Sequence, residues 1–555
     1  MKRLLCFILL LCHIPALFAA VPVRGFSLTS DDHEGGLRAI EAAASYGVNH
    51  LQLSHKIVMD LCEIKDKQKA ALVNSFIDEA HSAGIAEVVL WDHCLYKMDY
   101  YPAEFKVKDG KKTRLDFDNE AFWEWLKDDY RDMLSRVPEA DGLVLTFIET
   151  GARAEQQVSQ RYKTGEEKIA AVVSAVSEVV CKELGKKLYL RTFAYSRDEY
   201  ATITACINLL PESDSIVLMM KETPHDFILT HPHNPLIGTI DRPTIVEFDT
   251  CGEFHGQCII AGMVPELFAE RLKDYLDRPN VIGYTARTDR YGDTQIVGTP
   301  AEINLFALKC VADDPEVNAD TIYRRFISER YGAGAVELLE PVFRGAYDIL
   351  TSCMYVMGLN MATHSKMSFD NMSIYSRHVS GRWTESPEVF IGHDINRTFH
   401  YWKDIVEHIA PAECKELHGR YAAEMKHIIS YGWTTPAECM SEEYLYLIDK
   451  EYAFSQRKAE ESLAQIRKAE NILSPDRYEE LVLLYERTLM TIRLRRASAA
   501  LYWGSRTDCP DEYLDEASAS LEAILKEYDS YDKPYPKGQW DWKEDAETAK
   551  KLLGI

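Results

Sequence analysis

Pro243-Thr-Ile-Val-Glu-Phe-Asp-Thr-Cys-Gly-Glu-Phe-His-Gly-Gln257 is a short apolar alternation that runs into a turn crowded with carboxylates, glycine and carboxamide. Val246 and Phe248 alternate with Glu247 and Asp249, a period of two that predicts a β-strand with one apolar and one polar face. In a parallel α/β barrel the reacting groups sit just past the C-terminal ends of the strands. Glu253, between Gly252 and Gly256, falls at such a place. Taken alone, Glu253 reads equally well as the cap of an exposed loop, and the rest of the chain has to separate the two readings.

Outward from this stretch, β-like runs alternate with amphipathic helical runs, the pattern of a parallel sheet with crossover helices. The predicted strands are Arg24–Leu28, Asn49–Ser54, Glu87–Asp92, Gly142–Glu149, Lys187–Ala194, Ser215–Lys221, Thr244–Thr250 and Val281–Arg287. Eight strands over about 290 residues match a (β/α)8 TIM barrel, a fold of the α/β class. The predicted crossover helices are His33–Tyr46, Lys65–Ala83, Asn119–Val137, Gly165–Leu184, Arg197–Leu210, Val264–Leu276 and Ala301–Ala312. The sixth crossover, Thr223 to Arg242, is rich in His and Pro and has no helical period, so it is expected to be an active-site loop. Beyond about residue 315 only helical patterns follow: Ala319–Tyr331, Val336–Met357, Asn396–Ile409, Ala412–Ser430, Glu442–Ala469 and Pro475–Leu501. The expected organisation is a signal peptide over 1–20, a barrel catalytic domain over 21–314 and an all-α C-terminal domain over 315–555.

The 555 residues are 46% hydrophobic and 27% charged, an ordinary globular composition. Lys2 and Arg3 precede the apolar run Leu4 to Phe18, which closes on Ala19-Ala20. This pattern reads as a cleaved secretory leader, too short for a comfortable membrane span, so an exported periplasmic or extracellular protein is expected, without membrane insertion. The formal net charge of −25 repels polyanions and argues against nucleic-acid binding. The thirteen cysteines form no CxxC pairs, which points to neither a zinc ribbon nor a disulfide scaffold. Cys251 and Cys258 bracket the central turn, and a disulfide between them is the minority reading beside two small buried apolar residues.

Three acids converge on the predicted barrel mouth. The fourth strand ends in Glu149, the sixth leads through Lys221-Glu-Thr-Pro-His to Asp226, and the seventh leads to Glu253. Two carboxylates flanking a bond are the minimal machinery for cleaving a glycosidic linkage, and an acid beside apolar surface suits a proton donor. Rim ion pairs are the alternative. Arg191 and Lys221 end the fifth and sixth strands; they either hold a substrate anion or neutralise Asp226, Glu222 and Glu253. Trp91, ending the third strand, reads either as a platform for a sugar face or as core. His231-Pro-His233 and Asp92-His93 lack the spacing of a metal motif, so no metal or other cofactor is expected.

Ile245-Val-Glu-Phe-Asp-Thr-Cys-Gly-Glu253-Phe-His-Gly-Gln257 resembles the strand ending Gln-Glu-Tyr-x-Gly-Gln of the family-67 glycoside hydrolases, the α-glucuronidases. Met220-Lys221-Glu-Thr-Pro-His-Asp226-Phe is similar to their Lys-Asn-Gly-Pro-x-Asp-Phe. Asn234-Pro-Leu-Ile-Gly238 resembles Ser-Pro-Leu-Phe-Gly, Leu190-Arg191-Thr-Phe-Ala-Tyr195 resembles Trp-Arg-x-Phe-Val-Tyr, and Ile391-Gly-His-Asp-Ile-Asn-Arg-Thr398 is a fainter likeness in the helical part. The resemblance implies Glu149 as general acid, Asp226 and Glu253 sharing the general-base role, inversion without a metal, and Arg191 and Lys221 on the uronic carboxylate. Gln257, closing the same motif, joins Trp91 among the expected substrate contacts. The chain departs from the family in lacking its β-rich N-terminal domain and in having Glu149-Thr-Gly-Ala-Arg153 for Glu-Gly-Gln-Pro-Gly-Pro.

The expected function is therefore release of an α-linked glucuronic acid, its 4-O-methyl ether or a related uronic acid from oligosaccharides, with a homodimer formed through the helical domain. The alternatives are a related hydrolase acting on a different sugar and a carbohydrate-binding barrel without turnover.

Overall fold

The structure, a computed structural model, describes residues 21–192, 197–224, 226–356, 362–367, 409–412, 414–415 and 442–555. Strands β1 (Val23–Leu28), β2 (His50–Leu53) and β3 (Glu87–His93) are followed by a small antiparallel hairpin, β4 (Lys106–Asp109) and β5 (Lys112–Leu115). The barrel continues with β6 (Gly142–Thr146), β7 (Lys187–Arg191), β8 (Ile216–Lys221), β9 (Thr244–Phe248) and β10 (Val281–Arg287). The order β1-β10-β9-β8-β7-β6-β3-β2 closes on itself with every pairing parallel, so the fold is a (β/α)8 barrel.

Strand alternation divides the side chains between two cores. Val89, Trp91, Val144, Tyr189, Val217, Met219 and Ile245 fill the barrel interior. The intervening residues, such as Val246 and Phe248, face the crossover helices, where Phe248 meets the rings of Phe268, Tyr275 and Tyr284. These helices are α1 (His33–Tyr46), α2 (Lys67–Ser82), α3 (Glu120–Ser135), α4 (Gly165–Ser177), α5 (Arg197–Leu209), α6 (Pro265–Leu276) and α7 (Ile303–Asp313). Their starts are capped locally: Asp32 accepts from the Gly35 N–H, and Thr164 with Glu167 forms a capping box on α4. The described residues of the stretch 223–242 form no helix, as its composition implies.

Among the described residues, the helical region has α8 (Ala319–Tyr331), α9 (Val336–Met354), α10 (Glu442–Lys468), α11 (Pro475–Gly504), α12 (Asp511–Asp529) and α13 (Trp542–Leu553), with a two-stranded hairpin of β11 (Ala362–Thr363) and β12 (Lys366–Met367). Gly332, at φ 91°, ends α8 as a helix stop. This region is docked on the C-terminal mouth of the barrel. Arg487 on α11 donates to the Ile259 carbonyl at 2.8 Å, and the Thr488 hydroxyl accepts from the Ala261 N–H at 2.9 Å, so α11 grips the turn that follows β9. Near the chain end, the Gln539 N–H donates to the Arg290 carbonyl at 3.1 Å, beside the loop after β10. The expected segments Asn396–Ile409, Ala412–Ser430 and Ile391–Thr398, and the leader over 1–20, lie wholly or largely outside the described residues.

Candidate active site

The last inward-facing positions of four consecutive strands are charged: Arg191 on β7, Lys221 on β8, Glu247 on β9 and Arg287 on β10. They sit two residues above Tyr189, Met219, Ile245 and Thr285, so the pleat that buries the apolar interior also stacks a charged layer on top of it. Glu247 is the centre of that layer. It accepts from Arg191 Nε at 2.8 Å on one oxygen, and from Arg287 Nη2 at 2.8 Å and Nε at 3.1 Å on the other. Burial alone would raise its pKa, but Arg191, Arg287 and Lys221 outweigh it and hold the carboxyl below its usual range. Lys221 Nζ lies 2.7 Å from Asp226 Oδ1 and 4.5 Å from the centre of the Phe227 ring, which Arg287 also approaches at 4.6 Å.

Above this layer the turn after β9 folds Glu253 inward. Its N–H donates to Asp249 Oδ2 at 2.6 Å. Gly252 takes φ 75°, and a Cβ there would lie 2.8 Å from the His255 ring, which explains a glycine at the bend. The Glu253 carboxylate receives Arg287 Nη1 at 2.8 Å on one oxygen, and Arg290 together with His364 Nδ1 at 2.8 Å on the other. Burial raises the Glu253 pKa, yet Arg290, His364 and Arg287 hold it well below the carboxylate range. Asp249, fully enclosed beside Glu253, is pushed up to about 6 by burial, with Arg287 opposing the rise.

The mouth itself is lined by groups that solvent reaches. The Glu149 side chain is 43% exposed and its Oε2 is 3.7 Å from Arg191 Nη1. Asp226 is 16% exposed against 5% for Glu253. His55, at φ 51°, packs on Trp91 at 5.0 Å and on half-buried Tyr291 at 5.7 Å. Burial, then Arg290 and Arg287, push the His55 pKa well down, so its imidazole is neutral. Among the described residues no group of three or more His, Cys, Asp or Glu is placed to hold a metal ion.

The structure brings Glu149, Asp226, Glu253, Arg191 and Lys221 to one mouth, and it corrects the surroundings expected for them. Glu149 is 43% exposed and lies beside the Arg191 guanidinium. The forks expected to clasp a substrate anion are closed on protein acids, Arg191 on Glu247 and Lys221 on Asp226. Trp91 is not a sugar platform: it lies beneath the charged layer, donates Nε1–H to Gln52 at 3.1 Å and carries the Arg191 guanidinium 4.6 Å above its ring. Gln257 is not a substrate contact either. Its Oε1 accepts from the Trp540 N–H at 2.9 Å and its Nε2 donates to the His364 carbonyl at 3.3 Å, so it ties the chain end and the β11–β12 hairpin to the turn. Cys251 and Cys258 are both free thiols, Cys251 lying 3.1 Å from Asp249 Oδ1 and from the Asp289 carbonyl.

Sequence reasoning missed Glu247, Arg287, Arg290, His55 and His364 as site residues. Glu247 and Arg287 had a signal, since each is a charge on the inward phase of an otherwise apolar strand. His364 had none: it arrives from a hairpin more than a hundred residues away.

Neither the protein-family models nor the curated proteins compared with this sequence gave a match. Among solved structures, a family GH115 4-O-methyl-α-glucuronidase with specificity for decorated arabinogalactans aligns over 96% of this chain at 11% identity with a TM-score of 0.50, and this chain spans 61% of its length. An O-GlcNAc hydrolase variant of Thermobaculum terrenum aligns over 96% of this chain and 93% of its own at 10% identity, TM-score 0.45. The shared property is the fold, one that glycoside hydrolases use; the resemblance to family 67 in particular gains no support from these comparisons.

Proposed function

We propose that this protein is a glycoside hydrolase that releases an α-linked uronic acid, glucuronic acid or its 4-O-methyl ether, from an oligosaccharide with inversion of configuration. The observation that carries the reading is the pair of solvent-reached carboxylates at the mouth, Glu149 beyond β6 and Asp226 beyond β8, each held beside a buried cation, Arg191 and Lys221. Strands two apart in a barrel lie about 10 Å from each other. That suits the wider carboxyl spacing of inverting enzymes, roughly 6.5 to 9.5 Å, which leaves room for a water molecule.

In this reading Glu149 protonates the leaving oxygen, and Asp226 takes the proton of the attacking water. Glu253 does not share that base role, because both its oxygens hold charged donors and a proton placed there would break buried ion pairs. Its work is to fix Arg287, Arg290 and His364. The uronic acid part of the proposal is supported by the basic groups gathered at the mouth: Arg287, Arg290 and His364 all contact the Glu253 carboxylate. Export through the leader over 1–20 and a dimer formed through the helical region belong to the same reading. Incubation with glucuronic-acid-decorated oligosaccharides and with their neutral counterparts tests it. Release of the acid alone is expected, and release of a neutral sugar instead would replace the substrate class.

A further inference from the structure

The hairpin that carries His364 is built at a backbone cost. His364 and Ser365 occupy its two-residue tip at φ 49° and φ 70°, a left-handed pair where Asn and Gly are the favoured residues. Every neighbour holds it there. The Ser365 hydroxyl accepts from the Gly256 N–H at 2.8 Å and donates to the Glu253 carbonyl at 2.8 Å. Buried Arg495 donates to the Ser365 carbonyl at 2.6 Å and, at 2.9 Å, to Asp545, whose other oxygen accepts from the Met367 N–H at 2.6 Å. What this apparatus delivers is one imidazole over the barrel mouth. An ionised carboxylate only accepts, so Nδ1 of His364 carries the proton that Glu253 receives, and Nε2 is turned to the opposite side of the ring.

We propose that His364 is the cationic contact for the carboxylate of the uronic acid, and hence a specificity-determining residue supplied by the helical region. The inference rests on the uronic-acid reading above. Arg191 and Lys221, with side chains 3% and 6% exposed, already face protein acids, whereas the His364 side chain is 39% exposed. Arg287 and Arg290 are as buried as Arg191. Among the described residues, His364 is thus the member of the cluster that presents positive charge to an incoming anion. The groups that face its ring are Glu253, Asp226, Arg290 and the Phe254 ring at 5.1 Å. Burial lowers its pKa, but Glu253 and Asp226 outweigh burial and Arg290, and the net shift is upward, in favour of the imidazolium.

The test is calorimetric titration of the full chain with D-glucuronate and with the isosteric, uncharged D-glucuronamide. The wild type is expected to prefer the acid at least tenfold. His364→Asn, a residue that tolerates the left-handed backbone, is expected to bring the two affinities within about twofold. Unchanged preference in the variant would overturn the role of His364 while leaving the uronic-acid reading standing. Failure of the wild type to prefer glucuronate would overturn that reading itself. Wild-type titrations across pH need no variant: the preference is expected to fade as pH rises through the raised imidazole pKa, and a preference constant to pH 9 would also overturn the proposal.

Discussion

Glu149 and Glu253 are both carboxylates beyond the C-terminal ends of barrel strands, β6 and β9, and their surroundings give them opposite work. Glu253 is enclosed by three donors and cannot take a proton without breaking ion pairs. Glu149 is 43% exposed, lies beside the Arg191 guanidinium and is the group proposed to meet the leaving oxygen. Glu149→Gln should therefore lower turnover on poor leaving groups by roughly 10²- to 10⁴-fold and far less on activated aryl glycosides, which need little protonation. Equal losses on both would remove the acid role. Glu247 never meets substrate in this account, so its replacement should speak through stability. Glu247→Gln leaves Arg191 and Arg287 buried with their shared counterion gone, a loss of about 3 to 5 kcal/mol read from the denaturant midpoint. An unshifted midpoint would mean that the charged layer relaxes without cost. At this scale the sequence located the acids but not their partners. Chain order shows which residue ends a strand, whereas pairing depends on the pleat and on which strands become neighbours.

The eight barrel strands were legible at the level of elements because their apolar runs are short and separated by well-patterned helices. Their C-terminal ends were not. The predicted Gly142–Glu149 run stops at Thr146 in the structure, although Phe147 and Ile148 remain almost fully buried, because the chain leaves the sheet at the mouth while its apolar side chains stay packed. The same happens after Phe248, where Asp249 and Thr250 stay buried beyond the strand end. The β4–β5 hairpin went unpredicted despite a turn signal, Gly110 at φ 59° in a two-residue connection between Asp109 and Lys112. The β11–β12 hairpin, two residues per strand, is too short to register in any periodicity. Its function depends on its anchors, which makes Ser365→Ala informative. Removing the hydroxyl orphans the Gly256 N–H and the Glu253 carbonyl, at about 1 to 3 kcal/mol of local stability. The value of kcat/KM on a glucuronide should fall about tenfold, and unchanged kinetics would show that the hairpin does not need this tie.

Across the whole molecule, the ionisable groups set a pH window. Glu87, at the opposite end of the barrel, is held down to about 2 against its own burial by His50, Lys187 and Tyr189, and Glu247 and Glu253 are also depressed. Depressed carboxylates contribute stability that is complete above their unfolded values of about 4 and is lost as pH falls through the folded ones. Asp249, raised to about 6, and His364, raised from its usual value, act in the opposite sense: their contribution is present at low pH and disappears as pH rises through the folded pKa. The net charge of −25 adds self-repulsion on the alkaline side. His55, held well below its usual value by burial, loses stability as pH falls below the unfolded histidine value of about 6.5, so thermal stability should peak between about pH 5 and 7, and a Tm still climbing at pH 8 would contradict this distribution of shifts.

The central claim, an acid and a base held apart around a water molecule, is tested most directly by the anomer first released. An oligosaccharide bearing an α-linked glucuronic acid is mixed with the enzyme and the anomeric proton followed by NMR before mutarotation. The β-anomer of free glucuronic acid is the expected first product. Appearance of the α-anomer first, or a glycosyl adduct on Asp226 or Glu253, would contradict it.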